Sequence, residues 1–189
     1  KRLKMTINLT LERPLTNLDV RVVGIGGAGC SALRSLGDFL PDDTRFLGID
    51  TGTGTDSVRN FAEFIQVGDG FGSGGDAVAA AELFVDSDGP GEYGKAVTEF
   101  VTGADVVIIV AGLGRGSGSG IAPLVAHIAH DSGAFTLAAV NLPFEFEGRF
   151  RTQSAVQALE ILRNAVDTVI VSSNNDLLSP VRAAGSMSL

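Results

Sequence analysis

Residues 105–120 read Asp-Val-Val-Ile-Ile-Val-Ala-Gly-Leu-Gly-Arg-Gly-Ser-Gly-Ser-Gly. The apolar, β-branched first half has the composition of a strand buried on both faces. The glycines and serines that follow bring backbone N–H groups close to a ligand, with no Cβ in the way. Such a cluster running into a helix is an anion site, most often for phosphate. A second stretch of the same kind lies upstream, where Val20-Arg-Val-Val23 leads into Gly24-Ile-Gly-Gly-Ala-Gly29. Two such units in one short chain point to a parallel sheet with its ligand at the carboxyl ends of the strands.

The rest of the pattern agrees. Strands are expected at 19–24, 45–50, 64–67, 104–111, 135–141 and 167–172, and helices at about 29–39, 75–85, 91–101, 120–131 and 150–165. Apolar strands alternating with amphipathic helices give an α/β fold, a Rossmann-like three-layer sandwich with helices on both faces. Both glycine loops, and a third flexible stretch at Gly68–Asp76, fall at one edge of that sheet. Met5, Ile7, Leu9 and Leu11 alternate with polar residues, so 1–18 reads as an N-terminal arm closed by Pro14. The domain proper is then 19–178, and 179–189 reads as the start of an unfinished helix.

Composition narrows the function classes. The 189 residues suit one domain, and 44% hydrophobic residues supply a core. No apolar run approaches the ~20 residues of a membrane span, so membrane insertion is not expected. A net charge of −8 argues against a nucleic-acid surface. The lone Cys30 leaves no disulfide framework and points to a reducing cytoplasm. The chain begins with Lys1 rather than Met, as a fragment would.

Several motifs compete. Gly24-x-Gly26-x-x-Gly29 matches the dinucleotide fingerprint, and Asp50 closes the next strand where a ribose-binding acid would sit. An NAD(P)-binding oxidoreductase is therefore a rival. Against it stand the second glycine loop and the lack of a His, Tyr-Lys or Cys arrangement for hydride chemistry. Gly89-Pro-Gly-Glu-Tyr-Gly-Lys95 imitates a Walker loop, but Ala96 stands where the Mg²⁺-binding Ser or Thr is needed. His127 and His130 share a helix with no Glu or Cys partner near in sequence, so no metal site is expected there. Cys30 reads as a small residue in tight packing rather than a nucleophile. In Leu142-Pro-Phe-Glu-Phe-Glu-Gly-Arg-Phe-Arg151, Pro143 takes the chain out of the sheet and leaves Glu147 and Arg151 at the ligand edge.

Taken together, these stretches resemble the nucleotide-binding domain of the FtsZ/tubulin family, from about Val20 to Leu178. GIGGAGCSA resembles its first phosphate loop, AGLGRGSGSGIAP its signature loop, PFEFEGRFR its P-F-x-F-E-G-x-x-R, and VDTVIVSSNNDLL its following strand and loop. The resemblance implies a GTPase of cell division or cell shape that binds GTP or GDP with Mg²⁺. It also implies self-association into protofilaments at full length and contact with other division proteins. By the same resemblance Gly26, Gly27, Ala28 and Gly29 would wrap the α- and β-phosphates. Gly114, Gly116, Ser117, Gly118 and Ser119 would face the β- and γ-phosphates, and loop 70–76 would sense the γ-phosphate. Glu147 would hold the ribose, Arg151 would lie near the base or phosphates, and Asn174 would bond guanine.

The chain departs from that pattern in places. Arg115 replaces a signature-loop glycine, as a phosphate contact or as a crowding side chain. Ser31 stands where a guanine-binding Asn is usual, and Asp50-Thr51-Gly52 replaces Asn-Thr-Asp. By the resemblance, the chain ends before the family's central helix and the acidic loop beyond it, and that loop would complete the GTPase site of the next subunit. No catalytic residue is therefore assigned. A non-catalytic relative that regulates assembly remains the third reading.

Overall fold

The computed structural model describes residues 18–53, 58–60, 62–86, 89 and 91–177. Six parallel strands form one sheet: β1 (Val20–Ile25), β2 (Arg45–Asp50), β3 (Glu63–Gln66), β4 (Val106–Gly112), β5 (Phe135–Leu142) and β6 (Thr168–Ser173). Their spatial order is β3-β2-β1-β4-β5-β6. The helices are α1 (Gly26–Leu36), α2 (Ala77–Phe84), α3 (Gly91–Val101), α4 (Gly116–Gly120), α5 (Ala122–Asp131) and α6 (Arg149–Ala165). The expected α/β sandwich is the observed fold. The arm before Leu18 and the tail from 178 lie outside the described residues.

Alternation along the central strands sets the layers. Val23, Ile25, Val107, Ile109, Ala138 and Val140 are buried against α2, α3, α5 and α6. On the opposite face Val22, Cys30 and Leu33 pack with Val58, so α1 fills that side. The two faces are unequal. Among the described residues no helix covers β5 and β6 on the α1 side, where Ile170 is exposed. Charged groups fasten the sheet's ends. Arg21 is buried at the start of β1, donates to Asp19, and also bonds the Phe100 carbonyl at the end of α3. The Asp167 carboxylate accepts from Thr136 N and Oγ1, joining β6 to β5.

Two expectations shift. α1 begins at Gly26 rather than 29, and the Gly116–Gly120 stretch is itself a helical turn, followed after Ile121 by α5. Glycine here permits close packing instead of breaking helices. A methyl group on Gly29 would lie 2.3 Å from the Val110 carbonyl oxygen, so α1 rests directly on β4 only because Gly29 has no side chain. The Walker-like stretch serves as the beginning of α3, with Gly91 and Gly94 buried.

Gly29→Ala is expected to destabilise the fold by about 1–3 kcal/mol, the usual range for overpacking a close contact. Gly27, two residues away in the same turn, has open space at its Cβ position. Gly27→Ala is expected to be neutral, or to stabilise by up to about 1 kcal/mol through helix propensity. Urea unfolding of both variants checks the contrast; equal effects would mean that the α1–β4 contact is not what limits position 29.

Candidate functional site

β1 and β4 lie side by side, but the chain leaves them in opposite directions across the sheet. Ligands in open parallel sheets bind outside such a reversal point. Both glycine stretches end there and touch: a methyl group on Gly26 would lie 3.3 Å from Gly118 N. α1 is preceded by the extended Ile25, with no side-chain cap. Its first-turn N–H groups are therefore left for solvent or a ligand.

Two cavities at this edge meet at Arg115. The larger, about 360 Å³, is lined by Gly27, Ala28, Gly112, Asn141, Glu147 and Asn174, among others. The smaller, about 240 Å³, is lined by Gly26, Asp50, Thr51, Gly72–Gly75 and Gly116–Gly118. Arg115 lines both. Loop 68–76 thus reaches the signature turn, as its sequence position suggested. Asp50 Oδ1 accepts from Ser117 Oγ at 2.8 Å and from Thr51 N at 2.8 Å, and Thr51 Oγ1 lies 2.9 Å from Ser117 Oγ. This buried network ties β2 to α4. Asp50 was legible in sequence as the acid of the dinucleotide reading and as a departure from a pattern, Thr51 only as part of that departure, and Asn141 carried no motif at all.

Other residues support the walls. Ser119 Oγ accepts from Gly114 N at 2.7 Å and braces the turn. Gly114 has φ +97°, and a methyl group there would meet the Arg151 carbonyl at 2.9 Å and Pro143 at 3.0 Å. The signature turn is therefore clamped against the start of α6. Gly118 is tighter still, with 2.1 Å from its Cβ position to the Gly112 carbonyl oxygen. Ser31 Oγ bonds back to the Gly27 carbonyl of its own helix at 2.7 Å. Neither Gly29 nor Ser31 lines either cavity.

Glu147 is the most engaged side chain of the edge. Oε1 accepts from Phe144 N at 3.0 Å, and Oε2 is bound by Arg151 one helical turn on. Arg115 Nη2 stands 3.5 Å from the same Oε2. Arg151 reaches the site through Glu147 and lines neither cavity. At the rim Phe146 and Phe150 are 75% and 76% exposed.

Elsewhere there is less chemistry. Burial pushes the Cys30 thiol up to about 12, consistent with packing. His127 and His130 are both exposed on α5, and among the described residues no three His, Cys, Asp or Glu gather as a metal site. No described helix is long and apolar enough to cross a membrane.

A family model described as Tubulin/FtsZ family, GTPase domain, matches residues 91–181. FtsZ of M. jannaschii, solved as an empty dimer, is 32% identical with a TM-score of 0.79, over 88% of this chain and 48% of that one. CetZ2 of Haloferax volcanii, solved as a GTPγS-bound protofilament, is 28% identical with a TM-score of 0.70, over 84% and 50%. TubZ of the Clostridium botulinum phage c-st, at 20% identity and a TM-score of 0.70 over 82% and 53%, shares the fold. The chain belongs to the Tubulin/FtsZ family and carries its GTPase-domain fold. It spans about half the length of these solved structures. The dinucleotide reading of Gly24–Gly29 is not favoured, although the strand order is one that dinucleotide-binding folds share.

The pairing of Glu147 has a pH signature. Burial opposes its ionisation, but the Phe144 N–H, Arg151 and Arg115 outweigh that and hold the carboxyl below its ordinary range. A carboxyl depressed on folding stabilises above its unfolded pKa and loses that contribution as pH falls through the folded value. Glu147→Gln is therefore expected to melt below wild type at pH 7, with the gap closing from about pH 4 downward. Thermal melts between pH 7 and pH 3 check this; a gap unchanged at pH 3 would assign the loss to packing.

Proposed function

We propose that residues 19–178 form the GTP-binding domain of an FtsZ-like cytoskeletal GTPase, a cytoplasmic protein of cell division or cell shape. The carrying observation is the contact of the Gly26 and Gly118 turns where β1 and β4 diverge, with a cavity on each side of Arg115. A nucleoside fits the larger cavity and a phosphate chain the smaller. Gly26, Gly27 and Ala28 offer backbone N–H groups to the α- and β-phosphates. Gly116, Ser117 and Gly118, with loop 72–75, face the terminal phosphates. Glu147 holds the ribose, and the Asn174 amide reads the guanine edge. Gly29, Ser31, Gly114, Ser119 and Arg151 hold these groups in place.

Mg²⁺ suits the hard oxygen donors of Asp50, Thr51 and Ser117 in the smaller cavity. When bound it neutralises charge on the phosphates. The protein's own share is positioning, the larger part of phosphoryl transfer. Placement of the attacking water is another matter. Asp50 is engaged by Thr51 and Ser117, and Glu147 by Phe144 and two arginines. Asp69 accepts from Phe71 N, and Asp76 caps α2. We therefore assign hydrolysis to an assembly in which a neighbouring subunit supplies the acid. The dimer and protofilament of the FtsZ and CetZ2 structures support self-association, and so do the exposed Phe146 and Phe150.

The nucleotide released on denaturing the purified chain is expected to be GTP or GDP. Asn174→Ala is expected to weaken GTP by about 1–2 kcal/mol, for one or two lost hydrogen bonds, and to leave ATP unchanged. Competition titrations check this; tighter binding of ATP or NADH than of GTP would overturn the assignment.

Phosphate release by the chain alone is expected to stay near background at every protein concentration. Turnover that rises with concentration would mean that the chain supplies its own acid in trans, and Asp69, Asp76 and Asp176 would be the residues to replace.

A further inference from the structure

Arg115 stands where the two cavities meet, and its partner is a residue that the nucleotide reading needs. Its side chain is 67% exposed, whereas that of Glu147 is 16% exposed. Both Glu147 oxygens are already engaged, Oε1 by Phe144 N and Oε2 by Arg151 and Arg115. Oε2, with two guanidiniums beside it, is the crowded oxygen, and a ribose hydroxyl approaching it through the larger cavity competes with the less firmly held of the two. Arg115 is the weakest held. Its 3.5 Å separation is longer than a good hydrogen bond, and exposed ion pairs contribute little. Arg151 is bound close, one helical turn from Glu147, and Phe144 is a backbone donor fixed by the turn.

The smaller cavity gives Arg115 somewhere to go. Its charged lining residues are Asp50 and Arg115, and of these Arg115 is the side chain that offers an incoming phosphate positive charge. The backbone cannot follow, because Gly114 is clamped against Arg151 and Pro143. The side chain can, since Arg115 has an extended backbone and no capping bond.

We propose that Arg115 is a phosphate-operated latch: it rests on Glu147 in the empty site and passes to the phosphate chain of a bound nucleotide, freeing the carboxylate for the ribose. This rests on the nucleotide reading above and makes the site count phosphates. A nucleoside or monophosphate, too short for the smaller cavity, competes with Arg115 for Glu147. A di- or triphosphate draws Arg115 away and gains both contacts. The side chain at position 115 thus sets the preference for di- and triphosphates over shorter ligands.

The test is calorimetric titration of the full chain, in magnesium buffer, with guanosine, GMP, GDP and GTP. Wild type is compared with Arg115→Gln, which keeps the length of the side chain, and Arg115→Gly, which restores a glycine. In wild type, affinity is expected to step up between GMP and GDP. In both variants GTP and GDP are expected to weaken about 10–100-fold, the loss of a charge-assisted contact. Guanosine and GMP are expected to bind equally well or several-fold tighter, because Glu147 is no longer occupied. An equal loss for guanosine and GTP would make Arg115 a support of the loop and overturn the latch, as would no change for any ligand. If wild type bound none of the four, the nucleotide reading itself would fall, and the latch with it.

Discussion

The fold depends on a contact that has no side chain in it. Gly29 lies against the carbonyl of Val110, and Gly118 against that of Gly112. Any Cβ at either place would push a helix off the end of β4. Because both positions are bare, α1 seats on the β1–β4 pair from one face while α4 turns tightly over the end of β4. The hydrophobic core follows from this placement: Val22 and Leu33 close one face under α1, and Val23, Ile109 and Val140 close the other. The site follows as well, since the same closeness brings the start of α1 beside Gly116–Gly118.

Around that pair the polar groups form two rigid supports and one loose element. Asp50, Thr51 and Ser117 make a buried network that fixes α4 to β2. Glu147, Phe144 and Arg151 make a second that fixes the loop before α6. Arg115 belongs to neither firmly, yet it touches both cavities. A charged, long side chain in a turn otherwise built from Gly and Ser has few packing duties, and its chemistry is free for a ligand. A preorganised frame with one mobile charge is a sound arrangement for recognising phosphates, where geometry and charge carry most of the binding.

The sequence by itself determined the order and type of the elements. Apolar β-branched runs such as Val106–Val110 cannot remain in water, and their alternation with amphipathic helices leaves a parallel sheet as the way to bury them. It also determined that two backbone-rich turns would share one edge, because every such turn follows a strand in a parallel sheet. The element boundaries were less legible: α1 starts at Gly26 and Gly116–Gly120 is helical, against the usual preference of glycine. Close packing on β4 outweighs the local propensity there.

Only the tertiary structure decided which residues meet. Asp50 and Ser117 are 67 positions apart, and Glu145 and Asn175 are 30 apart, yet each pair is hydrogen-bonded. Nothing in either local stretch announces its partner. The assigned roles of Gly29 and Ser31 could not be separated from those of Gly27 and Ala28 by motif alone. In the fold Gly29 lies against Val110, whereas the exposed Ser31 bonds back to the Gly27 carbonyl of its own helix. Local sequence carries propensity and hydrophobic period, which act over a few residues. The site is made of distances between strands, and those are fixed only when the sheet closes.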